Sequence, residues 1–253
     1  PGSSTWRPKN YSNKFKGRVT LYNAFSESLN IPAIKISEAV GRKNVSDLAK
    51  KFDLFSDPNS GPAIALGTSE ATLIDLVGAY ATILNNGYKI EPFGWEMLEL
   101  KKNKNEPLMA KSETPDIQII SSETAAGLIF MMSEVIRNGT GKKAQFSNWD
   151  LAGKTGTSQA ARDAWFIGFS KNYIAGVWMG YDDNTPLRGV TGGGLPVDIW
   201  RIAMKNIHLN LNPIPLSTDK LYLTSGKTTR KTVGETSFGR TLGQFFNRLL
   251  RLN

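Results

Sequence analysis

Apolar residues recur at helical spacing through the first half of the chain and at strand spacing in much of the second. Within Val19–Val40, the positions Leu21, Phe25, Leu29 and then Ile34, Ile36 and Val40 lie close to one helical face. Thr20 is a suitable N-cap, and Pro32 is expected to bend or end the first half because it removes a backbone donor. Asn44–Phe52 predicts a second, short helix. Thr72–Asn85 predicts a third, with Leu73, Leu76, Val77, Tyr80, Ile83 and Leu84 on one face and Gly87 supplying positive φ at the C′ position. Leu98–Asn105 runs from strand into a Lys/Asn turn, as in a hairpin. Ser122–Asn138 predicts a fourth helix, capped by Ser121 or Ser122 and stopped by Gly139. The period then changes to that of strands. Leu151–Thr157 is one strand, and Asp163–Phe169 and Tyr173–Tyr181 form a hairpin joined at Ser170-Lys171-Asn172. Val197–Ile207 returns to helix. Helices, then antiparallel strands, then a helix is an α+β layout.

The ends of the chain lack such patterning. Residues 1–20 read as loop, and Pro213–Ser237 as linker or disordered tail. Phe238–Leu252 can form a short basic amphipathic helix through Leu242, Phe245, Phe246, Leu249 and Leu250. It is expected to dock on the domain or stay loose, with contact to anionic lipid as the alternative. The expected organisation is one domain over 1–210 and a basic, flexible tail over 211–253.

Composition removes several classes of chemistry. With no cysteine among 253 residues, disulfides and thiolate metal sites are excluded. The single histidine, His208, lies in Ile-His-Leu-Asn-Leu-Asn-Pro, far from any nucleophile-elbow pattern, and reads as a partly buried residue at a helix end. No metal or other cofactor is implied, and an acyl-transfer enzyme with this composition would use lysine as its base. Of the net charge of +9, the segment from Leu216 onward carries +5, with seven Lys/Arg against two Asp/Glu. A basic tail on a near-neutral body argues against a nucleic-acid cleft. No apolar run approaches the ~18 residues that span a bilayer. The chain opens Pro1-Gly2-Ser3-Ser4 without an initiator Met, so a fragment or excised domain is expected, with any membrane anchor upstream.

The strongest chemical signal is Gly153-Lys154-Thr155-Gly156-Thr157. A phosphate loop needs Gly five residues before the Gly-Lys pair, and position 148 is Asn. At Gly226-Lys227-Thr228 the same position is Leu221, so neither string is a nucleotide site. The other reading of Lys-Thr-Gly is the active-site strand of penicillin-recognising serine enzymes. A strand edge pairs with an extended peptide. Lys154 would set a fixed cation near a terminal carboxylate, and the Thr155 and Thr157 hydroxyls would orient that carboxylate or the lysine. Gly156 lets substrate approach the backbone. The Thr157 N–H would meet the developing oxyanion, worth roughly 3 kcal/mol in a good hole.

Serine-x-asparagine occurs at Ser28/Asn30 and again at Ser170/Asn172. Ser170 belongs to a tight turn, whereas Ser28 sits at a helix end or interhelical turn and precedes Lys154 in the chain. Trp-x-Pro-x-Asn-Tyr (6–11), Gly17-Arg18-Val19-Thr20-Leu21, Ser28-Leu29-Asn30-Ile31-Pro32, Ala65-Leu66-Gly67-Thr68 through Asn86-Gly87, Asn138-Gly139-Thr140-Gly141, Ala152 to Ser158, Asp163-Ala164-Trp165-Phe166-Ile167-Gly168 and Val190 to Trp200 together resemble class A penicillin-binding proteins. The Thr191-Gly192-Gly193-Gly194-Leu195-Pro196 string resembles their Gram-negative subgroup. The resemblance runs from about residue 1 to 205. It implies the penicillin-binding transpeptidase fold, similar to serine β-lactamases, with an antiparallel sheet packed by helices. It also implies a D,D-transpeptidase on the periplasmic face of the inner membrane. A serine would attack the D-Ala-D-Ala bond of a peptidoglycan stem peptide, and β-lactams would be suicide substrates. By the same resemblance Ser28 relays a proton toward the leaving amine, and Asn30 bonds the substrate backbone and the base lysine. Lys154 and Thr157 hold the terminal carboxylate.

One element departs from the pattern. The family's nucleophile lies in serine-x-x-lysine, usually within Pro-Gly-Ser-Ser-Phe-Lys-Pro. Here Pro1-Gly2-Ser3-Ser4 is followed by Thr5-Trp6, so Trp6 stands at the lysine position. The nucleophile-bearing segment and its base are missing from the pattern, and Ser3 matches the nucleophile by its neighbours alone. Ser217-Thr218-Asp219-Lys220 fits the spacing but follows Lys-Thr-Gly in a polar tail. Three explanations stay open: an incompletely represented active enzyme, a catalytically dead remnant that only binds peptidoglycan or protein partners, or a weakly reactive Ser3. A β-lactamase or carboxypeptidase of the same superfamily is disfavoured by the Trp-x-Pro-x-Asn-Tyr and Asp-Ala-Trp-Phe strings.

Overall fold

The computed structural model describes residues 7–54, 61–95, 97–98, 109–110 and 116–218. Six α-helices and five strands lie within them: α1 (Leu21–Ser26), α2 (Asn30–Val40), α3 (Arg42–Lys51), α4 (Leu73–Leu84), β1 (Met97–Leu98), β2 (Met109–Ala110), α5 (Ser122–Arg137), β3 (Ala152–Thr157), β4 (Asp163–Phe169), β5 (Ile174–Gly180) and α6 (Leu195–Ile207). The expected α+β architecture is therefore the observed one.

Caps follow the sequence closely. Thr20, Thr72 and Ser121 each accept the N–H three residues on, and Thr72 closes a full capping box with Asp75. Two local expectations change. The Val19–Val40 helix breaks at Glu27–Leu29, not at Pro32. Pro32 is the third residue of α2, where its missing N–H has no intrahelical partner to lose. After α4 the left-handed residue at C′ is Asn86 (φ +57), with Gly87 following at +87. Glycine is needed there for space, since a Cβ would stand 2.0 Å from the Ile120 carbonyl oxygen. The expected 98–105 hairpin is seen only as the β1–β2 pairing of Met97–Leu98 with Met109–Ala110; its turn lies outside the described residues.

Strands β3, β4 and β5 form an antiparallel sheet in that order, so β4 is central and β3 is an edge among the described residues. The register pairs Ala152 with Phe169 and Thr157 with Ala164. One face carries Ala152 and Phe169, packed on Ile83 of α4, Ala125, Ile129 and Met132 of α5, and Phe25 of α1. The other carries Phe166 against Val197, Trp200 and Met204 of α6, with Phe146, Trp149 and Leu151. Trp200 Nε1 donates to the Gly168 and Ala175 carbonyls at 3.2 and 3.0 Å, tying α6 to two strands. Each face buries large side chains, which explains a β4 sequence, Ala-Trp-Phe-Ile-Gly-Phe, without polar alternation. Leu216 is 7% exposed and belongs to the α4–α5 cluster. Residues 219–253, with the expected amphipathic helix at 238–252, lie outside the described residues.

His208 is the C-cap of α6 and is fully packed rather than partly buried, ringed by Phe146, Trp149 and Tyr173. Its Nδ1 lies 2.6 Å from the Met204 carbonyl, which can only accept; Nε2 therefore accepts from Ser170 Oγ at 2.8 Å. Ser170 Oγ also accepts the Asn172 and Tyr173 N–H groups and shapes the β4–β5 turn. Among the described residues no helix is long and apolar enough to cross a membrane, and no group of three or more His, Asp or Glu could hold a metal ion.

Helices α1 and α5 are joined at Gly139, where a Cβ would lie 2.2 Å from the Ser26 carbonyl oxygen and 2.8 Å from Val135 Cα. Gly139→Ala is expected to lower unfolding free energy by about 1–3 kcal/mol, because both neighbours are backbone and cannot yield. Chemical denaturation checks this; an unchanged midpoint contradicts the close α1–α5 approach.

Candidate active site

Ser28 lies in the turn between α1 and α2. Its N–H donates to the Phe25 carbonyl, and the Leu29 N–H reaches back to that of Ala24, at 3.1 and 2.8 Å. This is the double bond of a Schellman cap with Ser28 at C′. That position has φ +55, a left-handed backbone that glycine adopts freely and serine does not. The turn needs no hydroxyl, and a residue held in such a conformation is a pointer to function.

Lys154 comes to this turn from the sheet. It shares a face of β3 with Ala152 and Gly156, directed at the α1–α5 layer. Its Nζ lies 2.7 Å from Ser28 Oγ, 3.0 Å from the Thr155 carbonyl and 5.8 Å from the Phe25 ring centroid. Ser28 is exposed and Lys154 half-buried. Burial pushes the Lys154 ammonium down to about 8. Near and above that pH the amine can shed and regain a proton.

Asn30 is placed differently. Its amide nitrogen donates to the Lys9 carbonyl at 2.8 Å, while Asn10 Oδ1 accepts the Ile31 N–H at 3.2 Å. Leu29, the N-cap of α2, has no side-chain acceptor, so the distant Asn10 serves the first turn instead. Thr155 and Thr157 occupy the opposite face of β3 from Lys154. Thr155 Oγ1 pairs with Thr140 Oγ1 at 2.6 Å, and Thr157 Oγ1 accepts the Gly192 N–H at 3.0 Å. Gly192 sits so near the strand that a Cβ would fall 2.2 Å from the Gly156 carbonyl oxygen. Gly156 itself faces Trp165, where a Cβ would be 3.2 Å from Trp165 Cβ. Ser3 lies outside the described residues.

A buried brace holds the turn in place. Tyr22 of α1 donates to the Glu134 carboxylate on α5, which also accepts from Asn138 Nδ2 at 2.8 Å and Arg137 at 3.2 Å. Burial and the adjacent carboxylate push the Tyr22 phenol well above its usual range. The Thr140 N–H donates to the Ser26 carbonyl at 3.1 Å. Sequence reasoning missed Phe25, Asn10, Glu134 and the Thr140–Thr155 pair. The strings containing Asn10 and Thr140 were visible, but their roles depend on contacts across the fold.

A Ser–Lys contact at the junction of a helical layer and an edge strand is the arrangement expected of a serine acyltransferase. The sequence profile described as "Penicillin binding protein transpeptidase domain" matches residues 1–185. The chain belongs to this family. Among curated members, penicillin-binding protein 1A of Rickettsia typhi is 29% identical over 239 residues, covering 85% of this chain and 30% of that protein. Penicillin-binding protein 1B of Haemophilus influenzae is 33% identical over 197 residues, covering 76% of this chain and 25% of that protein. This transpeptidase-family chain thus spans about 30% of the length of the 1A relatives it matches. Among solved structures, penicillin-binding protein 1A from Haemophilus influenzae superposes with TM-score 0.75 at 25% identity, covering 86% of this chain and 38% of that one. PonA1 of Mycobacterium tuberculosis, solved in complex with penicillin V, gives TM-score 0.73 at 23% identity, over 82% of this chain and 61% of that one, and shares the fold.

Two outcomes follow from the geometry. Ser28→Gly is expected to raise unfolding free energy by about 0.5–1 kcal/mol by relieving the left-handed strain. Ser28→Ala is expected not to, and paired thermal melts distinguish the two. For Lys154, the folded state carries a burial penalty while the amine is charged. Below about 8 the amine is charged in folded and unfolded chains alike; above the ordinary 10.5 it is charged in neither. Stability should rise with pH between these values. Lys154→Met should flatten that rise, and urea titrations at pH 7.5 and 10 would show it.

Proposed function

We propose that this chain is a peptidoglycan D,D-transpeptidase domain, taking stem peptides that end in D-Ala-D-Ala and open to acylation by β-lactams. The contact between exposed Ser28 and half-buried Lys154, at 2.7 Å, carries the reading. An extended peptide would add along the edge of β3 that is unpaired among the described residues. Its carbonyl would sit under the Thr157 N–H as oxyanion donor, and its carboxylate near Lys154 and the Thr157 hydroxyl. Ser28 would pass a proton from Lys154 to the departing amine. Asn30 would need to exchange its bond to Lys9 for one to substrate. Catalysis through a covalent acyl-serine divides one difficult substitution into two easier ones. A location on the periplasmic face of the inner membrane, where peptidoglycan is assembled, goes with this reading.

A second reading is a non-catalytic module that binds stem peptides through β3. The Trp at position 6, where the family carries its base lysine, favours it. Release of D-alanine from a synthetic stem pentapeptide separates the two readings. The transpeptidase reading expects release that falls by about 10²–10⁴-fold in Lys154→Met, the usual contribution of a proton-transfer group. Pentapeptide binding without any release by the folded wild-type chain would leave only the binding module.

A further inference from the structure

We propose that Glu134, which bonds to neither Ser28 nor Lys154, is a positioning residue for acyl transfer: through Tyr22 it fixes α1 so that Ser28 stands against Lys154. The proposal rests on the acyl-transfer reading above and leaves Ser28 in the proton-passing role given there. Glu134 is 5% exposed, and a buried carboxylate is costly unless it is fully bonded. Its two oxygens are both engaged, one by the Tyr22 hydroxyl and Asn138 Nδ2, the other by Arg137 at 3.2 Å. Of these donors only Tyr22 comes from another helix. Burial and the carboxylate hold the Tyr22 phenol well above its usual range, so it remains a donor at neutral and mildly alkaline pH.

An apolar pair would hold α1 to α5 as firmly. What the carboxylate adds is direction, because a hydrogen bond constrains angle as well as distance. Helix α1 has six residues and two such fixed points. Tyr22 is tied to Glu134 in the first turn, and the Ser26 carbonyl is tied to the Thr140 N–H at the last residue. They lie four residues apart, about 6 Å along the axis, so α1 can neither roll nor slide. Phe25 and Ser28, which face Lys154 at 5.8 Å from ring centroid and 2.7 Å from Oγ, follow the setting of α1. Burial, with no charged neighbour as a cause, lowers the proton affinity of Lys154. The Glu134 charge therefore reaches Lys154 only through the placement of α1.

The test titrates Lys154 in the full chain by NMR of lysine labelled at the ε carbon, its signal identified by its loss in Lys154→Met. Glu134→Gln removes the charge but keeps an oxygen for the Tyr22 hydroxyl, and is expected to keep the wild-type midpoint at about 8. Tyr22→Phe combined with Glu134→Leu exchanges the network for apolar contact and is expected to fold about as stably as wild type. Its Lys154 midpoint should nevertheless move up toward the ordinary 10.5, as α1 loosens and water reaches Nζ. Tyr22→Phe alone, which leaves Glu134 its two other donors, should move it the same way. Release of D-alanine from a stem pentapeptide by the double variant should fall about 10-fold or more in kcat, with KM little changed. Unchanged midpoints in the folded variants overturn the proposal whatever happens to their stability, since the network would then only hold the helices together. A wild-type Lys154 that already titrates near 10.5 overturns it as well. The titration needs no turnover, so a wild-type chain that releases no D-alanine counts against the transpeptidase reading, while the midpoints still decide whether Glu134 sets the contact.

Discussion

The six-residue strand β3 is held along one side by continuous pairing to β4 and covered on both faces by helices. Strand periodicity then leaves no choice of direction for its side chains. Ala152, Lys154 and Gly156 must face the α1–α5 layer, and Gly153, Thr155 and Thr157 must face α6. A one-residue slip would bury a lysine among Phe166 and Trp200 and carry the threonines to Ser28. The cross-strand pairs, the filled cores on both faces and the close seat of Gly192 on Gly156 all oppose that slip. Lys154 chemistry is thus a consequence of register: the same packing that fixes its direction also strips enough water from the amine to lower its proton affinity.

The helical layer supplies the complementary half. Ser28 is useful only if α1 keeps its distance from β3, and α1 has six residues, too few to hold itself. Its position is borrowed from α5 through the Tyr22–Glu134 contact, the Thr140 N–H on Ser26 and the van der Waals contact at Gly139. Thr140 also pairs with Thr155, so one short loop after α5 touches both the helix that presents Ser28 and the strand that presents Lys154. The strain at Ser28 is sustained by this over-determined setting.

Long, strongly patterned elements were legible in the sequence because local signals and tertiary packing agree there. Thr72 with Asp75 marks the start of α4, the aromatic and β-branched runs mark β4 and β5, and Gly153 to Thr157 marks the strand that bears the lysine. The split of Val19–Val40 was misplaced because Pro32 draws attention, while the break depends on a Schellman turn closed by serine, whose identity gives no warning. Asn30 reads as a substrate ligand by motif, yet its amide is engaged by the Lys9 carbonyl, a partner twenty-one residues away. The lowered proton affinity of Lys154 could not be read at all, since it depends on how closely Phe25 and the α5 layer cover the stem. The resemblance named the family correctly from strings scattered along the chain, and the profile match confirms it.

The side of β3 that is open among the described residues has a consequence for the behaviour of the molecule in bulk. A strand edge left free for a peptide is equally free for the edge of a second copy, and such edges seed aggregation. Here the edge is short and interrupted by Gly153 and Gly156, both poor strand formers. Lys154 adds a charge that an incoming apolar strand would have to desolvate. When the amine is neutral that penalty fades, so alkaline conditions are those in which this edge is least protected against self-association.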